Sequence, residues 1–178
     1  MRYFYNFILA PYIIKATSLI GVSRKCGGNQ FRHQWAVLGI LLDYKFFDDS
    51  VLIKAALLHD LFEDWGEEQI EAIRNLDSDG QAVIDLIKEV TKSDSEPKAD
   101  YLKRILETGS DRAKILKCAD RISNLTDLHL DTHTSGKIAA YLDQTEKYII
   151  PMALSIQNID FVKELADLII RRRLLIEK

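Results

Sequence analysis

The sequence predicts an all-α domain, and three observations predict it. Apolar residues recur mostly at helical spacing, glycine and proline number only eight and three in 178 residues, and no segment sustains strand-like alternation with turn punctuation. The spacing predicts helices over 11–22, 32–47, 49–64, 67–76, 79–92, 97–107, 111–128, 136–157 and 159–175.

Each element has its own signal. Residues 3–22 are rich in apolar and aromatic side chains but are interrupted by Asn6, Pro11 and Lys15, with only Arg2 as a leading charge. That pattern suits an opening helix packed on the core better than a signal peptide or anchor. Gly27-Gly28-Asn29 is the loop after it. The helix over 49–64 starts apolar, through Ala55-Ala56-Leu57-Leu58, and ends in His59-Asp60-Leu61-Phe62-Glu63-Asp64. Asp77-Ser78-Asp79-Gly80 is a turn and cap cluster, and Ser93 to Pro97 is a polar break with Pro97 acceptable in a first helical turn. Ser110-Asp111 offers an N-cap to the helix over 111–128. Arg171-Arg172-Arg173 reads as a solvated basic end favoured by the helix dipole. No repeat, low-complexity stretch or linker interrupts the chain, so residues 1–178 are expected to form one bundle of about eight to ten helices.

Composition narrows the function classes. Hydrophobic residues make up 47% and charged residues 29%, the balance of a soluble globular protein. A net charge of −3 argues against general nucleic-acid binding, while leaving room for a small anionic substrate in a locally positive pocket. Cys26 and Cys118 form no Cys-x-x-Cys pair, which disfavours a zinc–thiolate site or disulfide framework and points to a reducing, cytoplasmic setting.

The charge within 59–64 is costly beside so apolar a lead-in unless a cation or substrate meets it. On one unbroken helix, His59 stacks over Glu63 and Asp60 over Asp64, all within an arc of about 140°. The same residues also suit a surface helix with its carboxylates in water. A second stretch, Lys117-Cys118-Ala119-Asp120-Arg121-Ile122-Ser123-Asn124-Leu125, puts Asp120 and Asn124 on one face, either as site residues or as a plain hydrogen-bonded pair. Arg121 reads as a structural ion-pair partner. His33 adds an imidazole, although a lone histidine at a helix start is commonly structural. Together His33, His59, Asp60 and Asp120 supply two imidazoles and two carboxylates, a shell for one divalent metal. His129 and His133, four apart, read as surface residues.

Four stretches resemble one family: Arg24-Lys25 with a glycine shortly after, His33 nine residues beyond Arg24, AALLHDLFED, and KCADRISNL. The chain resembles the HD-domain metal-dependent phosphohydrolases, and within them the hydrolases of the alarmone (p)ppGpp. The resemblance implies that His33, His59, Asp60 and Asp120 bind one divalent metal, Mn²⁺ first, with Fe²⁺, Co²⁺ or Zn²⁺ as the other choices. It implies that Glu63 and Asp64 act on the attacking water, that Asn124 contacts ribose or phosphates, and that Arg24 and Lys25 lie near the base and phosphates. The expected reaction is hydrolysis of the 3′-pyrophosphate to GDP or GTP and pyrophosphate. The expected partner is the nucleotide alone, with no nucleic acid and no membrane; a homodimer is compatible with the sequence. Alternatives are an HD phosphohydrolase of another nucleotide, such as a monophosphate, or a catalytically silent module. The chain departs from the family pattern where Gln34 follows His33 in place of proline, and at Thr126-Asp127. Both departures are expected to bear on how substrate is held.

Overall fold

Short helices follow from the many local stop and start signals, and among the described residues every regular element is a helix. The computed structural model describes residues 8–64 and 68–176; of these, the side chains of residues 63, 64 and 68 stand outside the description. The chain divides into two compact units, Met1–Val22 with Asn29–Thr91, and Ser23–Gly28 with Lys92–Lys178. The all-α expectation holds.

The first unit opens with α1 (Ala10–Ala16), which has Pro11 in its first turn, followed by a tight turn of 3₁₀-helix over Thr17–Gly21. Tyr12, Ala16 and Leu19 are buried, as expected of a helix packed on a core. Helix α2 (Gln30–Asp43) is capped by Asn29, whose side chain accepts from the Arg32 amide at 3.0 Å. Helix α3 (Ser50–Ala56) is capped by Asp49, which accepts from the Leu52 amide. The short α4 (Leu61–Asp64), α5 (Glu68–Arg74) and α6 (Gly80–Val90) complete the unit. Helix α3 packs against α2 and α6, so its residues Val51 to Ala56 are all buried.

One departure from the predicted elements changes the site. The helix expected over 49–64 stops at Ala56, and residues 57–60 form a turn before α4. The Leu58 amide donates to Ala55 and the Leu61 amide to Leu58, three residues back in each case. The Ala56 carbonyl is engaged by His59 Nδ1 at 2.9 Å, a side-chain bond that competes with a helical one. Neither glycine nor proline marks the break, so periodicity alone runs through it.

The second unit holds α7 (Lys98–Thr108), α8 (Asp111–Asp127), α9 (Ser135–Gln144), α10 (Ile150–Ser155) and α11 (Ile159–Ile176). Ser110 caps α8 as expected, accepting from the Ala113 amide at 3.2 Å. The helix expected over 136–157 carries one π-turn, Thr145–Ile149, ahead of Pro151, whose missing N–H cannot continue the α ladder. Helix α8 packs against α7, α10 and α11 and supplies Leu116, Ala119, Ile122 and Leu125 to the core. The arginine run is more than a solvated end. Arg172 donates to the Leu125 and Thr126 carbonyls at the end of α8, and Arg173 pairs with Asp143 and Glu146. Among the described residues no helix is long and apolar enough to cross a membrane.

Candidate functional site

In the first unit, α2 contributes His33 and the turn between α3 and α4 contributes His59 and Asp60. The two imidazoles are buried, 2% and 4% exposed, and Asp60 is half-buried. His59 Nε2 lies 3.4 Å from Asp60 Oδ1, and His33 Nε2 lies 3.6 Å from Asp60 Oδ2. The rings stand edge to face, 5.2 Å between centroids. One ligand atom from each of the three residues falls within 4.8 Å of the others. The bond from His59 to the Ala56 carbonyl requires a proton on Nδ1, so Nε2 is the ring nitrogen that would serve a metal. Two imidazoles and a carboxylate make the donor set that first-row divalent ions and zinc take. The residues present therefore fit a divalent metal.

Gln34, expected to bear on how substrate is held, donates from Nε2 to Asp60 Oδ2 at 3.0 Å, beside the His33, His59 and Asp60 cluster. Glu63 and Asp64 close α4, and their side chains lie outside the described part of the structure. Because the chain turns at 57–60, the four residues His59, Asp60, Glu63 and Asp64 do not lie on one unbroken helix, so the shared arc read from the sequence does not apply.

The remaining candidates belong to the second unit, where Asp120, Asn124 and Arg24 form one chain of hydrogen bonds. Lys117 Nζ donates to Asp120 Oδ2 and Asn124 Nδ2 donates to Asp120 Oδ1, both at 2.6 Å. Asn124 Oδ1 in turn accepts from Arg24 Nη2 at 2.6 Å, and Arg24 Nη1 sits 3.4 Å from Asp127. Burial pushes the Lys117 ammonium toward losing its proton, but the Asp120 carboxylate outweighs it and holds the lysine well above its ordinary pKa.

A cavity of about 430 Å³ opens beside this network, lined by Arg24, Asn124, Tyr141, Gln144, His133 and Lys137 among others. Periodicity did not find the last four. His133, read as a surface residue, is half-buried: Nδ1 meets Asp131 Oδ1 at 2.5 Å and Nε2 meets Lys25 Nζ at 3.1 Å. Lysine can only donate, so Nε2 accepts and Nδ1 carries the proton. His129 is exposed, as expected. Arg121 is held otherwise than expected. Its guanidinium stacks 3.9 Å from the Tyr141 ring and donates to the Thr145 hydroxyl at 2.7 Å and the Tyr141 carbonyl at 3.2 Å, which fixes one wall of the cavity. Cys118 is buried and its thiol is pushed up to about 12 by that burial, so it is not a nucleophile at neutral pH.

The profile of the HD domain family matches residues 11–146, most of the chain. The chain belongs to the HD-domain family. A curated relative of this HD domain, guanosine-3′,5′-bis(diphosphate) 3′-pyrophosphohydrolase MESH1 of Drosophila melanogaster, is 39% identical over 90 residues, 49% of this chain and 48% of that protein. MESH1 of Xenopus tropicalis is 35% identical over 101 residues, 54% of each, and MESH1 of Mus musculus is 33% identical over 111 residues, 61% and 60%. The chain thus spans about half the length of the curated relatives it matches first. A solved structure of a metazoan ortholog of SpoT, described as hydrolysing ppGpp and playing a role in starvation responses, aligns with a TM-score of 0.77 at 27% identity, over 98% of this chain and 99% of that one.

Proposed function

We propose that this HD domain is a metal-dependent hydrolase of guanosine 3′,5′-bis(diphosphate) and its pentaphosphate homologue, releasing pyrophosphate and GDP or GTP. The observation that carries the reading is the His33, His59 and Asp60 donor set, assembled from a helix and a turn within one unit. Asp120 is proposed as the fourth ligand on the strength of the KCADRISNL motif. Residues 1–178 are proposed to work as one HD domain, since the family's match over 11–146 draws on residues of both units. The relatives named as ppGpp 3′-pyrophosphohydrolases support the choice of substrate.

A bound divalent ion, Mn²⁺ in this proposal, would lower the pKa of water and offset charge on the phosphorus under attack. Glu63 and Asp64 are proposed to handle protons: one carboxylate takes the proton of the attacking water and the other returns one to the ribose 3′-oxygen as its bond to phosphorus breaks. Asn124 and the guanidinium of Arg24, tied together at 2.6 Å and lining the cavity, are proposed to hold ribose and phosphate oxygens. Lys25 adds a compact positive charge near the cavity-lining His133. The stacked Arg121–Tyr141 pair offers a flat, rigid wall for a base.

A nucleotide panel tests the reading. Mn²⁺-loaded protein is expected to release pyrophosphate from guanosine tetra- and pentaphosphate and to leave monophosphates intact. Cleavage of monophosphates with no pyrophosphate from the tetraphosphate would overturn the substrate assignment.

A further inference from the structure

Gln34 stands at a core position of α2. Val37, Leu38 and Leu41, three, four and seven residues further on, are all buried, and Gln34 itself is 0% exposed. Leucine or methionine would fill such a place with no polar atom to satisfy. Instead the Gln34 Oε1 is buried with no hydrogen-bond partner among the described residues. A stranded acceptor in a core destabilises the fold, so a native one calls for an explanation.

The other end of the amide supplies it. Gln34 Nε2 donates to Asp60 Oδ2 at 3.0 Å. An ionised carboxylate only accepts, so the nitrogen must be the end that faces Asp60, and the oxygen is the end left over. Asp60 Oδ2 is also the oxygen 3.6 Å from His33 Nε2, while Oδ1 lies 3.4 Å from His59 Nε2. One amide bond therefore fixes the rotation of a carboxylate set between two imidazoles. Asp60 lies on a turn rather than within a helix, where the backbone restrains a side chain less, so a buried partner on the neighbouring α2 has more to contribute.

We propose that Gln34 is a positioning residue of the metal site, orienting Asp60 as a ligand and tightening metal binding without touching substrate. The proposal rests on the reading that His33, His59 and Asp60 hold a divalent ion.

The test is Mn²⁺ binding by the full chain, followed as the loss of the free-ion electron paramagnetic resonance signal, together with thermal unfolding of the metal-free protein. Gln34→Met keeps length and burial and removes the amide. Its Mn²⁺ dissociation constant is expected to rise about 10- to 100-fold, the usual effect of losing an outer-shell partner. Its metal-free unfolding midpoint is expected to stay level or rise, since no oxygen is left stranded. Gln34→Asn keeps an amide on a stem one methylene shorter and is expected to weaken Mn²⁺ as well; it decides the matter should Gln34→Met not fold. A variant that binds Mn²⁺ as tightly as the wild type, with a lowered midpoint, would show that Gln34 only fills the core and would overturn the proposal. A wild type that binds no divalent ion would instead remove the reading beneath it.

Discussion

The two units handle buried polar groups in contrasting ways. In the first, two imidazoles and a carboxylate are gathered within 4.8 Å, and that unit's buried lysine, Lys54, is committed elsewhere. Lys54 is 4% exposed and donates to Asp77 Oδ2 and Asp79 Oδ2, each at 2.7 Å, with Tyr12 and Ser50 completing the network. In the second unit every carboxylate singled out is matched by a cation or amide, Lys117 and Asn124 on Asp120, Arg24 on Asp127, and the network opens onto a cavity. A set of imidazole and carboxylate donors suits a metal ion. A network rich in fixed donors beside a cavity suits a polyanionic nucleotide. Substitutions at His33, His59 and Asp60 should therefore act on metal binding, and substitutions at Arg24 and Asn124 on nucleotide binding.

The largest break is expected at His59. His59→Ala removes one imidazole ligand, and the charge stabilisation a metal supplies is worth several kcal/mol. Turnover is then expected to fall on the order of 10³-fold or more, with Mn²⁺ affinity falling alongside in a calorimetric titration. Undiminished metal binding would dissolve the contrast between the units.

Lys54→Met is expected to separate structure from chemistry within the first unit. Removing one partner of a buried ion pair deprives Asp77 of its cation, and stability in urea unfolding at pH 7 should fall by about 3 kcal/mol with Mn²⁺ affinity in the folded protein unchanged. Burial pushes the Asp77 carboxyl upward, but hydrogen bonds from Lys54, Tyr12 and the Asp79 amide outweigh it and hold it below the ordinary aspartate range. A carboxyl lowered by folding stabilises the native state fully above its unfolded pKa of about 3.9 and loses that contribution as pH falls through the lower folded value. The wild type should show this acid-side loss below about pH 4, and Lys54→Met should show less of it, since Tyr12 and the Asp79 amide still donate to Asp77.

Much of this contrast was legible in the sequence. AALLHDLFED and KCADRISNL marked His59, Asp60, Asp120 and Asn124, and Ser110 and Asn29 stood where their helices needed a loop or cap. The turn at 57–60 was not legible, because a histidine that hydrogen-bonds its own backbone three residues back leaves no mark in apolar periodicity. Gln34 was noticed only as a departure from a pattern, and its bond to Asp60 spans 26 residues of chain. The cavity residues His133, Lys137, Tyr141 and Gln144 lie beyond the motifs, and Tyr141 gains its place through Arg121, whose stacking no spacing rule encodes.

The smallest effect sharpens the second half of the comparison. Arg24→Ala removes a charged hydrogen bond worth about 2 kcal/mol, so KM for the tetraphosphate should rise about thirtyfold with kcat and Mn²⁺ affinity little changed. A fall in kcat at constant KM would move Arg24 from binding to the chemical step.

The most direct measurement is the product analysis of guanosine 3′,5′-bis(diphosphate) across a Mn²⁺ titration, for the wild type and for Asp60→Ala. The account predicts equimolar GDP and pyrophosphate from the wild type, rising with Mn²⁺ to saturation, and neither product from Asp60→Ala. Orthophosphate in place of pyrophosphate, or equal turnover by the two proteins, would contradict it.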